Sequence, residues 1–256
     1  MESHIGQSSE SGMEKEGRRL IIEAAALGLS IRLLGGVAIW VRASDETRGL
    51  LGRHYPDLDF AAHGKQSRAL RRFLEESGYK PLRTFNATHG ARRLLYHAPD
   101  GSFQIDLFLD VFEMCHKLDF SERLEVEDAT LPAAELLLTK LQIVRVNRKD
   151  IGDVLMLLCD HELAAADGPS LLNVDRVATV CAADWGLYTT TSDNLGTVRE
   201  MVPDFGFGGE AITTLTERID GLTRHLEAAP KSRTWKLRAK IGRRLRWYEE
   251  VEEVTR

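Results

Sequence analysis

The sequence predicts an α/β protein in which a mixed sheet flanked by helices is followed by a helical C-terminal part. Two observations predict this class. Short apolar runs of strand length alternate with helical apolar patterns up to residue 144. From residue 147 onwards the apolar residues have helical spacing alone. We place the boundary near Gly168, so that residues 13–167 form the α/β part and residues 168–256 form the helical part.

The first elements alternate in a simple order. Residues 1–12 are polar and rich in Ser and Glu, and we expect them to be disordered or a remnant of the chain start. The segments that follow are an amphipathic helix at 14–27, a short strand at 31–34, a helix at 37–43 and a polar connection at 45–53.

Two acidic residues lie inside an apolar strand at residues 55–61. Side chains alternate between the two faces of a strand, so Asp57 and Asp59 project on one side while Leu58 and Phe60 face the core. The strand therefore holds two carboxylates close together at a fixed spacing.

A third acid, Asp106, lies in the later apolar run 103–109. Asp100-Gly101 precedes this run and is a strong hairpin signal that pairs it with a strand at 92–96. We therefore expect Asp106 on the second arm of a hairpin.

The remainder of the chain is predicted to be helical. Pro132 suits the first turn of a helix that runs to residue 144. Asn147 is placed to cap the next helix, with Asp150 at its third position. The helices predicted after this cap are 151–159, 170–183, 193–201, 210–228 and 233–254.

The three acids indicate a bound cation. Bringing Asp106 beside Asp57 and Asp59 would gather three carboxylates, an unfavourable arrangement of like charges unless a cation neutralises it. Hard oxygen ligands of this kind suit Mg²⁺, which also keeps water and substrate phosphates in its shell. Gly35 and Gly36 open a helix whose backbone N–H groups can meet an anion. Together these features indicate phosphoryl or nucleotidyl chemistry.

The ordered set Gly35-Gly36, Asp57-x-Asp59 and Asp106 resembles the DNA polymerase β-type nucleotidyltransferase superfamily. The signature of that superfamily is a Gly-Gly or Gly-Ser turn, a DxD strand and a later single Asp. Within it the chain is most similar to the AbiEii-like and minimal nucleotidyltransferases. The similarity covers residues 30–160 and implies a nucleotidyltransferase fold for this part of the chain.

Two further elements carry the resemblance. Arg53 lies four residues before the first Asp of the DxD strand, and Lys140 lies in a helix that precedes Lys149-Asp150-x-x-Asp153. The resemblance implies roles for these residues. The implied catalytic and metal-binding residues are Asp57, Asp59 and Asp106, and the implied nucleotide-binding residues are Gly35, Gly36, Arg53 and Lys140.

The function implied by the resemblance is a Mg²⁺-dependent transfer of a nucleoside monophosphate from an NTP to an acceptor hydroxyl. An AbiEii-type relationship implies a toxin that acts on tRNA or protein and is expressed beside a cognate antitoxin. The minimal relatives imply instead a small-molecule acceptor such as an aminoglycoside or lincosamide. A third interpretation is a nucleotide-binding protein on the same scaffold that catalyses no transfer. The base of the NTP, ATP included, stays open.

Other residues keep two interpretations. His89, Arg92 and Arg93 lie near a Gly-containing loop that faces the presumed site. This loop is either solvated, or its two arginines hold an acceptor or a phosphate. Cys115-His116 has no assignable orienting acid, which favours a buried cysteine over a thiol nucleophile. The basic run 231–246 either packs one face of an amphipathic helix or follows the backbone of an RNA acceptor.

Composition restricts the environment of the protein. The 256 residues carry a formal net charge of −5, so the whole molecule is not a general binder of nucleic acid. The three cysteines are scattered and lack CxxC spacing, which favours reduced thiols in the cytoplasm and excludes a zinc site of that type. We find no apolar run long enough for a signal peptide or a membrane span.

Overall fold

The computed structural model of the protein describes residues 3–250, with side chains from residue 12 onwards. The predicted α/β class is confirmed: a mixed sheet with flanking helices is followed by a helical part. The chain forms two compact units. The first unit consists of residues 1–42, 52–112 and 119–132, and the second unit consists of residues 43–51, 113–118 and 133–256. The predicted boundary at residue 168 stays a prediction, because compact packing does not show which segments fold independently.

The main sheet has five strands, which are β1 (Ile31–Leu34), β2 (Asp57–Ala62), β3 (Lys80–Pro81), β4 (Arg93–His97) and β5 (Gln104–Leu109). Their order in the sheet is β1-β2-β5-β4-β3. Strands β2 and β5 are parallel, and the other neighbouring pairs are antiparallel. Two small sheets contain β6 (Val111–Glu113) with β7 (Lys117–Asp119), and β8 (Glu162–Ala164) with β9 (Leu171–Asn173).

The helices of the first unit are α1 (Ser3–Ala26), α2 (Gly35–Arg42), α4 (Ser67–Glu76) and α5 (Arg83–His89). Those of the second unit are α3 (Asp45–Leu51), α6 (Ala133–Leu141), α7 (Arg148–Asp160), α8 (Val174–Ala183), α9 (Trp185–Met201), α10 (Gly209–Ala228) and α11 (Arg233–Ile241). Short 3₁₀ turns lie at Gly64–Gln66, Val202–Phe205 and Gly242–Arg244. None of the helices within residues 3–250 combines the length and the apolar character that crossing a membrane requires.

The helix α1 begins inside the segment 1–12 for which we predict disorder. Its backbone is helical from Ser3, while Met1 and Glu2 lie outside the described residues. At the other end, α11 ends at Ile241 and a 3₁₀ turn follows, so the continuous helix predicted to residue 254 is wrong up to the end of the described residues. Gly242 ends the helix with a φ of 61°, a conformation that glycine adopts without strain.

The first unit buries the apolar side of the strands that carry the acids. Leu58, Phe60 and Ile105 are almost completely excluded from solvent, as the alternating pattern predicts. Helices α1 and α2 contact β1, and α2 also contacts β2. Burying each large apolar side chain contributes about 2 kcal/mol, so the faces of β2 and β5 are fixed by the core.

The second unit is organised by capped helices. Asn147 caps α7 as predicted, because its side chain accepts hydrogen bonds from the backbone N–H groups of Lys149 at 2.9 Å and Asp150 at 3.2 Å. Asn173 and Asp184 cap α8 and α9 in the same way. These caps fix where each helix begins and therefore which side chains lie in its first turn.

Candidate active site

The three predicted acids lie on one face of the main sheet. Asp59 on β2 is the direct register partner of Asp106 on β5. Directly paired residues of parallel strands project to the same side, and Asp57 shares that side because it lies two residues before Asp59. The structure therefore brings Asp57, Asp59 and Asp106 together in the first unit, each held by the register of a buried strand.

Asp106 is buried, whereas most carboxylates in proteins are exposed. Only 8% of the residue is accessible to solvent. Burial raises the pKa of Asp106 above its ordinary value, Arg93 acts in the opposite direction, and the negative charge of Asp57 raises the pKa further.

Arg93 on β4 is the cation that contacts Asp106. Its Nε donates to both carboxylate oxygens, at 2.8 Å to Oδ1 and 3.0 Å to Oδ2, and its Nη2 also donates to Oδ2. Burial lowers the pKa of Arg93, but the hydrogen bonds and charge of Asp106 and the charge of Asp59 outweigh it, so the pKa is raised. The guanidinium also lies over the rings of Phe108, at 4.9 Å, and Phe85, at 5.5 Å.

The strand that carries Arg93 is anchored by a buried amide. Asn86 on α5 donates from Nδ2 to the carbonyl of Leu95 at 3.0 Å, and its Oδ1 accepts from the N–H of Leu95 at 2.7 Å. Leu95 is the register partner of Asp106. This bidentate contact anchors α5 to β4, the strand that carries Arg93.

The diglycine lies directly against the DxD strand. Gly35 has a φ of 68°, and a Cβ at this position would collide with the carboxylate of Asp59. A Cβ at Gly36 would collide with the ring of Tyr55 and lie 3.0 Å from Nη2 of Arg53. Both positions therefore need glycine for a close approach, and Gly35 needs it also for its backbone conformation. The pair begins α2, where backbone N–H groups face away from the helix body.

Arg53 lies beside this helix start. Its guanidinium carbon lies 4.3 Å from the centroid of the Tyr55 ring, and its Nη1 donates to the carbonyl of His54 at 3.2 Å. The positive charge is thus held near Gly36, where an anion at the start of α2 would meet it.

Lys140, the remaining predicted nucleotide ligand, lies in the second unit. Its Nζ forms ion pairs with Asp153 at 2.8 Å and with Asp150 at 3.2 Å. The Lys140 side chain is 12% exposed, and Asp153 is almost fully buried. The Lys-Asp-x-x-Asp turn of the sequence therefore supplies both partners of Lys140.

The donor set of the first unit fits Mg²⁺ in kind. Asp57 and Asp59 offer the hard carboxylate oxygens that Mg²⁺ prefers, whereas both oxygens of Asp106 accept hydrogen bonds from Arg93. Within the described part of the chain, no group of three Asp, Glu, His or Cys side chains has a geometry that could hold a metal ion. Asp57 and Asp59 are therefore the residues that would hold Mg²⁺, and Asp106 would join them only after changing its contact with Arg93.

Arg93 is the site residue whose partner sequence reasoning missed: it lies on the predicted strand, but its side chain pairs with Asp106. The hairpin turn at Asp100-Gly101 determines how the two strands pair, and this pairing locates Arg93. Pairing the two arms from this turn sets Arg93 two residues from the partner of Asp106 and on the same face, which is a diagonal distance that a long side chain spans.

Comparison with known proteins does not extend this description: no family model matches the chain, and no curated protein matches it significantly.

Proposed function

We propose that the protein is a Mg²⁺-dependent nucleotidyltransferase, which transfers a nucleoside monophosphate from an NTP to an acceptor hydroxyl and releases pyrophosphate. The observation that supports this proposal is the position of Asp57, Asp59 and Asp106 on one sheet face beside the diglycine start of α2. A carboxylate cluster and an anion-binding helix start together match the two needs of phosphoryl transfer.

Each residue has a stated task in this reaction. Asp57 and Asp59 hold the metal, which when bound neutralises phosphate charge and stabilises the attacking and leaving oxygens. The N–H groups at the start of α2 donate to the triphosphate, and Arg53 adds positive charge there. Asp106 would accept the proton of the acceptor hydroxyl once one of its oxygens is released from Arg93. The acceptor oxygen then forms a bond to the α-phosphorus while the α–β phosphoanhydride bond breaks.

Lys140 has the weakest support among the proposed nucleotide ligands. Its ammonium already contacts Asp150 and Asp153, so a phosphate would have to compete with two carboxylates for it. The nucleotide-binding role predicted for Lys140 would therefore require the ammonium to exchange one of these partners for a phosphate.

The proposal covers three acceptors: tRNA, protein and a small molecule. The test is incubation of the protein with each of the four α-³²P-labelled NTPs, Mg²⁺ and separate fractions of total tRNA, protein and aminoglycosides. We expect label in one fraction with wild-type protein. Transfer to tRNA or protein would agree with a toxin that has a cognate antitoxin, and transfer to a drug would agree with a resistance-type enzyme.

Substitution of the acids is the matching control experiment. Asp57→Asn, Asp59→Asn and Asp106→Asn should each abolish labelling, because each removes a charge needed for the metal or the proton. Asp128→Asn, which changes an exposed acid of the same unit, should leave labelling unchanged. Retained transfer in any of the three site variants would contradict the assignment.

A second candidate function is nucleotide binding without transfer. The contact that favours it is the pairing of Arg93 with both oxygens of Asp106, which occupies the proposed proton acceptor. Equilibrium binding of an NTP with Mg²⁺, together with no labelled product in any fraction, would favour this function over the first.

A further inference from the structure

A concave cavity of about 600 Å³ lies within the second unit, away from any residue assigned above. Its walls are the segment 113–117, the start of α9 and parts of the segment 234–249. This volume is in the range of sites that enclose a small organic ligand.

Aromatic rings form much of the wall. Trp185, Trp235, Trp247 and Tyr248 all line the cavity, and each is partly exposed. Trp247 meets Trp185 at a centroid distance of 6.2 Å and Tyr248 at 5.4 Å, both edge to face. Partly exposed aromatic side chains in a concave site are suited to contact with a planar ligand.

The wall is held in place by polar contacts between its segments. The N–H of Glu249 donates to the carbonyl of Cys115 at 3.0 Å. The indole N–H of Trp247 donates to Oγ1 of Thr190 at 3.1 Å, and the same oxygen lies 2.8 Å from Nε2 of His116. Hydrogen bonds between separate segments of the chain therefore hold the walls of the cavity in place.

Charged groups of both signs accompany the rings. The guanidinium of Arg238 lies 4.6 Å over Trp185 and also donates to the carbonyl of Gly242 at 2.7 Å. Arg246 lies over Tyr248 at 5.7 Å. Three exposed carboxylates, Glu113, Asp184 and Glu249, line the same cavity, as does the exposed ammonium of Lys117.

We propose that this cavity is a second binding site and that its ligand is a nucleotide. The rings stack on the base, the cations bind the phosphate, and the exposed carboxylates accept hydrogen bonds from amino groups of the base. A simple aromatic anion has no amino group that could donate a hydrogen bond to the carboxylates. A purely anionic polymer has no base that could stack on the rings.

The nucleotide has two sources with the same chemistry: a free nucleotide, or the terminal nucleotide of an RNA strand. The segment 231–246 bears on the second source, because it contains no acidic residue and its cations would face the phosphates that follow a terminal base. Its cationic residues are Lys231, Arg233, Lys236, Arg238, Lys240, Arg243, Arg244 and Arg246.

Intrinsic fluorescence tests the proposal, because three of the four tryptophans of the chain line the cavity. The full-length protein is titrated in EDTA with AMP, GMP, CMP and UMP, and separately with a short single-stranded RNA. EDTA keeps the metal-dependent site of the first unit out of the signal. We expect saturable quenching, and ribose 5-phosphate, which has no base, should bind at least about tenfold more weakly.

Two arginine variants make the matched control. Arg246→Ala removes an exposed cation of the cavity and should weaken binding about tenfold, the size of one lost charged hydrogen bond. Arg244→Ala removes an exposed cation that does not line the cavity and should leave binding of mononucleotides unchanged. Asp59→Asn should also leave binding unchanged, so failure of the proposed transferase activity does not affect this test.

The outcomes separate the two sources. If mononucleotides bind and Arg246→Ala weakens that binding, the ligand is a free nucleotide. If RNA alone binds and Arg246→Ala weakens that binding, the ligand is the end of a strand. No quenching by either ligand, equal binding of ribose 5-phosphate, or equal losses of mononucleotide binding in both arginine variants would overturn the proposal. Trp235→Phe gives a second measurement, since it keeps a ring in the wall and should retain binding within about threefold.

Discussion

In the first unit, Asp57, Asp59 and Asp106 share a sheet face with Arg93, whereas in the second unit Lys140 lies between Asp150 and Asp153. Both clusters combine aspartates with one basic side chain in a largely buried setting. The first is assembled from strands distant in sequence, and the second from two consecutive helices, α6 and α7.

The difference lies in what surrounds the charges. The ammonium of Lys140 contacts both of its carboxylates, which gives a compact arrangement that stabilises the contact between two helices. The first cluster instead lies against the glycines that start α2, with Asp59 next to Gly35. Similar charges therefore have different uses: a lysine held between two aspartates serves packing, and a carboxylate face beside a helix start offers room for a cation and an anion together.

The largest expected contrast is between Asp59→Asn and Asp153→Asn. The first should lower the transfer rate at least about a thousandfold, roughly 4 kcal/mol, by removing a metal ligand. The second should leave the rate within a few-fold and lower the free energy of unfolding, because Lys140 loses one partner. Label transfer and urea denaturation of both variants measure the two effects, and a large rate loss in Asp153→Asn would remove the distinction between the clusters.

Removing the basic partner should destabilise both clusters. Arg93→Met and Lys140→Met each leave buried aspartate without its cation, so each should lower the free energy of unfolding by about 3 kcal/mol. Lys140→Met should leave the KM for NTP unchanged if its role is packing. A raised KM with unchanged unfolding would assign Lys140 to phosphate binding instead.

Gly35→Ala should affect the first cluster through a single methyl group. The added Cβ collides with the Asp59 carboxylate, and a shift of that carboxylate should cost about a hundredfold in rate, roughly 2.7 kcal/mol. Gly101→Ala is the control, since Gly101 has a similar φ of 77° and no heavy atom within 4 Å of the added Cβ. Steady-state rates of the two variants separate the collision from backbone strain, and equal rates would exclude the collision as the cause.

The smallest effect is stabilisation by the metal itself. If Asp57 and Asp59 hold Mg²⁺, a concentration tenfold above its Kd should raise the free energy of unfolding by about 1.4 kcal/mol. Thermal unfolding should show this increase for wild type and for Asp153→Asn but not for Asp59→Asn. An equal increase in all three proteins would place the ion elsewhere.

The sequence predicts the strands of the site well because they follow local rules. Alternation places Leu58 and Phe60 in the core and thereby fixes the face of the aspartates, and Gly101 turns the hairpin as predicted. The cap at Asn147 depends only on the three residues that follow it. Features of this kind are determined by side-chain spacing over a few residues, and so a single sequence contains them.

Other features depend on distant parts of the chain. The helices α3 and α5 are seven residues each and mostly polar, and their sequences lack the apolar spacing that marks a longer helix. The bidentate contact of Arg93 needs the register of β4 against β5, and the aromatic cavity needs the segment 234–249 to meet the start of α9. Tertiary packing determines such contacts, so the apolar periodicity of the sequence does not predict them.

The close approach of Asp59 to Gly35 has a consequence for binding order. Because Asp59 lies against the start of α2, an ion held by Asp59 and a triphosphate held at α2 would change each other's binding affinity. Thermodynamic linkage then requires each to tighten the binding of the other by the same factor. Under the proposed function, the protein would bind the metal and the nucleotide as a cooperative pair, and neither would bind well alone.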